Sequence, residues 1–326
     1  MKTKLLLACI PFFLLAGCDS SSDSSSGETT PTQTALVSFS VSDAPVDEAD
    51  NVVVAFDALE LIHENGQRYF LNVVDTDEEQ EYQQVDLLAY QGNDSRLILS
   101  DERIAIGNYK ELIVHTTSKG NSDLNYVIAN GRHDLKVPSD KLRLGGFEVT
   151  SETVQAFTIE FDLRKSLVLR GNSGNNNGYI LKPHGVKIVD NGAATSLFGN
   201  VDQALFAQGD ACMADSGNFV YLYQGHDHAE GTLVDNIDVN DEEYNDDLPL
   251  PENYVEPYAS VGVLENGDYF FGFIPAGDYT VAFTCSAHVD HPVQYDFIKI
   301  ANPSEQVAEI TLEPTVEYEH NFRETQ

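Results

Sequence analysis

The residues of this 326-residue chain best suited to chemistry are histidines and carboxylates in its C-terminal third. His226-Asp227-His228 places two imidazoles at i and i+2, on one face if the segment is a strand. His288 and His291 follow Cys285 within six residues. Neutral imidazole is a common ligand for zinc and copper, so these four nitrogen donors can build a metal site if a Cys212–Cys285 bridge or the sheet brings the segments together. The plainer alternative leaves them as solvated loop histidines; a metal here would suit a structural or sequestering role better than catalysis. Asp235, Asp238, Asp241 and Glu242 open a longer acidic run and are candidate calcium ligands, since hard cations collect six to eight oxygens. Their spacing is not that of an EF-hand, and a solvated insertion between strands is the bland alternative.

Other polar groups read as ordinary. Asp43-Ala44-Pro45-Val46-Asp47 either holds a ligand or is a turn that Pro pre-sets, its carboxylates capping amides. Asp162, Arg164 and Lys165 alternate with apolar neighbours and predict a solvent-facing or paired stripe. His184, after Pro183, reads as a packed or exposed side chain. The chain has no Gly-x-Ser-x-Gly elbow, His-Glu-x-x-His, Gly-Lys-Ser/Thr loop or Gly-x-Gly-x-x-Gly. A glycosidase pair depends on a carboxylate separation that spacing cannot give. No catalytic residue is therefore assigned, no enzymatic activity is expected, and no cofactor beyond a divalent metal ion. With no Trp, sugar stacking would fall to Tyr and Phe; Tyr221, Tyr223, Tyr254 and Tyr258 along an open sheet face would favour carbohydrate binding.

The elements that must position these groups are strands. Val37, Phe39 and Val41 alternate with serines, Val52, Val54, Phe56 and Ala58 keep the same period, and Phe157, Ile159, Phe161 and Leu163 alternate with Thr158, Glu160 and Asp162. Period two predicts half-buried strands. Asn65-Gly66 and Asn266-Gly267 predict type I′ hairpin turns. Only Tyr82 to Tyr90 has some helical character. The predicted fold class is all-β, with two β-sandwich domains. A turn cluster at Asp190-Asn191-Gly192-Ala193 separates them, giving domains 36–192 and 197–315 and a tail 316–326. Residues 36–196 hold 25 acidic and 14 basic side chains, whereas 197–315 hold 22 acidic and a single basic one, Lys299.

A formal charge of −35 argues against nucleic acid as a partner. Two lysines precede an apolar run from Leu5 to Leu15, which reads as a secretion signal too short for an ordinary membrane span. Leu15-Ala16-Gly17-Cys18 resembles the bacterial lipobox, which implies cleavage after residue 17 and acylation of Cys18. Residues 18–35 are rich in Ser, Asp and Thr, with too little apolar surface to order themselves, and read as a tether. Export to an oxidising compartment makes a Cys212–Cys285 disulfide the expected pairing.

Val41-Ser42-Asp43-Ala44-Pro45-Val46-Asp47, with Leu59-Glu60-Leu61, resembles the start of a bacterial lipoprotein domain, domain-of-unknown-function family 4382. Phe161-Asp162-Leu163-Arg164-Lys165-Ser166-Leu167 and Tyr179-Ile180-Leu181-Lys182-Pro183 resemble its closing motif. The resemblance covers about residues 36–190 and implies an envelope location and a β fold, without an established activity. Asn266 to Val281, with Pro275-Ala276-Gly277-Asp278-Tyr279, is similar to a turn of prealbumin-like, carboxypeptidase-regulatory-like sandwiches; some members of that fold bind carbohydrate and others are stalks. The single Lys299 argues against the Lys–Asn isopeptide bond of adhesin repeats. Together these features predict a cell-envelope lipoprotein that is a non-catalytic binding or scaffold module. Carbohydrate or metal (zinc, copper or calcium) binding by the C-terminal domain is the alternative. The expected partners are the lipid bilayer, through Cys18, and an envelope polysaccharide or another envelope protein. Asp19 after Cys18 resembles an inner-membrane retention signal of enteric bacteria, but the outer membrane is the expected location.

Overall fold

The structure, a computed structural model, describes residues 33–44, 49–75, 79–121, 123–150, 154–172 and 175–324. The leader 1–17, Cys18, nearly all of the tether and Pro45 to Asp47 lie outside the described residues. Among the described residues no helix is long and apolar enough to cross a membrane.

The N-terminal body holds β1 (Thr34–Ala44), β2 (Asn51–His63), β3 (Arg68–Asn72), β4 (Gln83–Asp86), β5 (Arg96–Ala105), β6 (Gly107–Thr116), β7 (Tyr126–Ile128), β8 (Arg132–Lys136), β9 (Lys141–Leu144), β10 (Phe147–Val149), β11 (Val154–Asp162), β12 (Leu167–Asn172), β13 (Asn175–Leu181) and β14 (Val186–Asp190). One sheet runs β14-β11-β1-β5. The other runs β10-β6-β2-β7-β8-β13-β12, with β3 and β4 also on β2 and β9 on β6. Both contribute to one hydrophobic cluster, in which Phe39 stacks on Phe157 (5.6 Å) and Tyr109 on Phe147 (4.8 Å). In β1 the alternation is as predicted, with Val37, Phe39 and Val41 inside. The strand is parallel to β11 and antiparallel to β5, so it is hydrogen-bonded along both edges.

Two strands depart from a half-buried pattern. β2 buries both faces, and its main chain is also bonded by the segment after β6: the Thr117 amide donates to the Ala55 carbonyl (2.9 Å) and the Ala55 amide to Asn125 Oδ1 (2.8 Å). β11 is buried continuously from Phe157 to Asp162, polar positions included. It leads into a single helical turn, α1 (Leu163–Ser166). The helical character around Tyr82 to Tyr90 amounts to one 3-10 turn, Leu87–Ala89.

The C-terminal body holds β15 (Ala194–Asn200), β16 (Phe219–Gln224), β17 (Ala259–Gly262), β18 (Asp268–Pro275), β19 (Gly277–Thr284), β20 (Val307–Leu312) and β21 (Tyr318–Glu319). Its sheets run β18-β15-β21 and β17-β16-β19-β20 around Leu197, Val220, Leu222, Phe271, Val281 and Phe283. Cys212 and Cys285 form a disulfide with Cα atoms 5.0 Å apart, tying the loop before β16 to the end of β19. Residues 316–324 are no tail: β21 pairs with Leu197 and Phe198 of β15, and Phe322 is 2% exposed against Tyr269 and Phe283.

The turn predictions need correction. Asn65-Gly66 closes the β2–β3 hairpin, but positive φ is taken by Gly66 alone, so the turn is not type I′. Asn266-Gly267 joins β17 to β18, which lie in different sheets, and so makes a corner. Glycine is required there, because a Cβ at 267 would meet the Val201 carbonyl oxygen at 2.3 Å.

Candidate binding site between the two β bodies

The four histidines do not converge. β16 and β19 pair antiparallel, with Phe219 opposite Thr284 and Gln224 opposite Tyr279. His226 and His228 therefore follow one end of β16. His288, whose amide lies beside Gly217, sits at the other end, about 17 Å away for a six-residue strand. The disulfide draws Cys212 toward the His288 end, leaving His226 where it was. His226 Nε2 lies 2.9 Å from the Ile310 carbonyl, and His291 Nδ1 accepts from the Val293 amide. Among the described residues, no group of three or more His, Cys, Asp or Glu is placed to hold a metal ion.

The candidate calcium ligands also diverge, each drawn into a separate task. Asp235 is buried and accepts from the amides of Ile298 (2.8 Å) and Asp296 (3.2 Å); burial pushes its carboxyl up to about 8. Asp238 caps the Asn240 amide, Asp241 caps that of Glu243 and pairs with Lys182, and Glu242 is exposed. The tyrosines form no open platform either. Tyr221 and Tyr223 are fully buried, donating to Asp290 and to the Val234 carbonyl, both at 2.6 Å. Tyr254 and Tyr258 are half-buried.

The polar groups that do converge are those predicted to be an ordinary stripe. Arg164, Lys165, Lys182, His184 and Lys187 of the N-terminal body meet the C-terminal body along a buried junction. The Arg164 guanidinium pairs with Asp290 (2.7 Å), donates to Ser260 Oγ (3.1 Å) and stacks 3.6 Å above the Phe219 ring. Asp290 also accepts from Tyr221 and from Asn236 Nδ2 (2.7 Å). Lys165 donates to the Pro257 carbonyl (2.8 Å), Lys187 to that of Tyr258, and Lys182 to Asp241. His184 Nδ1 stands 3.7 Å from Asp238. Of the predicted stripe, then, Arg164 is ion-paired, while Asp162 and Lys165 are buried beneath the second body.

Three carboxylates lie behind this row. Ser42 of β1, Glu160 of β11 and Lys187 of β14 share one rung of the sheet, with Asp162 two residues further along β11. Asp43 and Asp162 are buried, and none of their four carboxylate oxygens has a hydrogen-bond partner among the described residues; Glu160 Oε2 is in the same position. Burial pushes Glu160 up to about 8. It also raises Asp43 well above the carboxylate range, helped by the charges of Glu160 and Asp162. Burial lowers Lys187 to about 8 and brings Lys165 and His184 down as well. The raised Asp43 and Glu160 carboxyls beside weakened cations reduce the charge that a dry junction must hold.

Beside Arg164 the two bodies part into a cleft of about 880 Å³, continuous with solvent. Leu163, Arg164 and Leu167 form one wall; the other comes from loops around 203–206, 214–219, 263–265 and 287–292. The disulfide braces this second wall, joining the loop that leads into 214–219 to the segment that leads into 287–292.

The β-strands that end in these docking residues begin at Thr34. Residues 34–183 match a family model described as a domain of unknown function, DUF4382. Arg164, Lys165 and Lys182 fall within the DUF4382 match, while His184 and Lys187 lie just past it. No curated protein matches the chain. Among solved structures it is similar to the Bacillus anthracis TIE protein (10% identity, TM-score 0.20), covering 88% of this chain and 34% of that one. It is also similar to a leucine-rich repeat protein from Bacteroides thetaiotaomicron (12%, TM-score 0.20; 89% and 26% covered). A third is BcpA, the major pilin subunit of Bacillus cereus (11%, TM-score 0.18; 89% and 99% covered). The chain thus spans about a third or less of the first two proteins.

Sequence reasoning missed the junction because a polar residue at every second position of a strand reads as facing water. One signal pointed to it: residues 197–315, with 22 acidic side chains and one Lys, follow residues 36–196, which carry 14 basic ones.

Proposed function

We propose that this protein is a cell-envelope lipoprotein acting as a non-catalytic binding or scaffold module. In this reading residues 1–17 are removed, Cys18 is acylated and enters the bilayer, and 18–35 tether two β-sandwich domains, 36–192 and 197–315, the second prealbumin-like. The observation that carries the reading is the seating of β1. The strand starts at Thr34, where the tether sequence ends, and is bonded along both edges, so the tether would enter the body at a firmly held point. The Arg164–Asp290 pair supports a non-catalytic role, because it is committed to structure: Asp290 alone serves Arg164, Tyr221 and Asn236. Recognition would fall to the cleft beside Arg164, with another envelope component as partner. The test is fractionation together with mass spectrometry of the mature chain. Acylated Cys18 in the membrane fraction, and release of the Cys18→Ser variant, are the expected results. An intact leader with unmodified Cys18 would refute the anchored reading.

A further inference from the structure

The junction also encloses a much smaller space. Asp43, Glu160, Asp162 and Lys187 of the N-terminal body and Tyr258 and Gly272 of the C-terminal body face a cavity of about 20 Å³. That is room for one water-sized occupant. Asp43, Asp162 and Glu160 are 0%, 1% and 9% exposed, and five of their six carboxylate oxygens have no hydrogen-bond partner among the described residues. The Leu163 amide favours the Asp43 charge without completing a hydrogen bond. Buried oxygens rarely go without donors in folded proteins, and so many around one cavity call for an occupant that brings positive charge.

Charge and size narrow the choice. Glu160 shares a rung with Lys187, whose ammonium offsets its charge and donates to the Tyr258 carbonyl. Asp43 and Asp162 are left as two carboxylates on one cavity, matched by a divalent cation. The lining offers oxygen and neither imidazole nor thiolate, which selects a hard ion. Magnesium keeps several waters in a near-octahedral shell, for which this cavity has no space, whereas calcium accepts irregular sets of oxygens.

We propose that Asp43 and Asp162 bind one calcium ion at the junction, with Glu160 and Lys187 beside it as an outer, mutually compensating pair. Two bidentate carboxylates supply four oxygens, and main-chain carbonyls of the wall or water complete the set. Direct ligation by two acids, instead of three, agrees with the lack of any three-acid metal cluster among the described residues. Because both bodies build the wall, the ion would favour their joined state. Without a cation, burial favours the protonated form of Asp43, and calcium would displace that proton.

The test is calorimetric titration of the detergent-solubilised full chain, stripped with EDTA, with calcium chloride. Salt at about 0.15 M screens diffuse attraction to the acidic surface. One saturable calcium per chain is expected, with a Kd on the order of 0.1–1 mM or tighter, and the urea midpoint should be higher in calcium than in EDTA. Magnesium should leave the midpoint at its EDTA value. Asp43→Asn and Asp162→Asn should each weaken binding at least about tenfold, because affinity follows the charge of the ligands. Lys187→Met removes the neighbouring ammonium and should tighten binding, a gain that no loss of fold imitates. Asp246→Asn/Asp247→Asn, on an exposed loop away from the cavity, should bind as the native chain does. Absence of a saturable site, an equal response to magnesium, or loss of binding in the loop variant with both aspartate variants unaffected would overturn the proposal. The Cys18→Ser chain should bind calcium like the native one, so failure of the anchored reading and failure of this one are separately visible.

Discussion

Replacing Glu160 with Gln should alter stability in a way that depends on pH with a definite sign. The native carboxyl titrates at about 8 against an ordinary 4.5, chiefly because it is buried, with Lys187 opposite opposing the shift. Below pH 4.5 both folded and unfolded chains hold the proton, and the displaced pKa contributes nothing. From 4.5 to about 8 the unfolded carboxyl ionises while the native one stays neutral, so the native state loses ground as pH rises. At about 1.4 kcal/mol per pH unit, the loss between pH 5 and 8 is as much as ~4 kcal/mol from this group alone. Gln copies the neutral carboxyl and does not titrate. Glu160→Gln should therefore be near the native protein at pH 5 and gain on it by up to ~4 kcal/mol at pH 8. Lys187 works on the other side: its ammonium, lowered to about 8 by burial, adds stability as pH climbs from there toward 10.5. The two together set a stability minimum near pH 8. Urea unfolding followed by tyrosine emission, which no Trp obscures, measures both limbs. A difference between variant and native protein that stays flat from pH 5 to 8 would refute the picture of a dry, protonated junction.

The remaining predictions concern the same framework. Arg164→Ala should cost about 3–5 kcal/mol in urea unfolding by stranding the Asp290 charge, and Arg164→Met with Asp290→Asn should recover much of that loss. Replacing Cys212 and Cys285 by Ser opens a loop with a sequence separation of 73 and should cost roughly 4 kcal/mol, read as a lower urea midpoint with an intact fold at low temperature. Phe322→Ala should cost about 3–5 kcal/mol in the same assay.

Period two in the sequence announced β1 correctly at Val37, Phe39 and Val41, which enter the core while Ser38 and Ser40 are half-buried, although Ser42 is buried as well. The same pattern misjudged β11, where Thr158, Glu160 and Asp162 look outward from their own sheet but inward for the molecule. Alternation records which side chains share a face and says nothing about what lies against it. The cysteine pairing was legible because, with Cys9 and Cys18 assigned to the expected leader and anchor, a count of two left one partner each. The histidines were not: whether residues 226 and 288 meet depends on strand direction, and antiparallel pairing of β16 and β19 sends them to opposite ends. Phe322 was misjudged for a related reason, since a lone aromatic near a terminus shows no periodicity and its burial depends on β21 joining β15.

The seating of β1 has a mechanical consequence. β1 and β11 run parallel through nine registered pairs, from Leu36 with Val154 to Ala44 with Asp162. β11 leads through α1, β12 and β13 to β14, which returns antiparallel to β11 and brings Asp190 opposite Phe157. The chain therefore leaves this sheet at the end where β1 enters it, since Phe39 is also level with Phe157. A pull between residue 33 and the C-terminal body, carried by the chain, loads β1 and β14 at that one end, so the rungs of β1 would yield one after another from Leu36 onward. With β5 on its other edge, each such step breaks bonds on both sides of the strand.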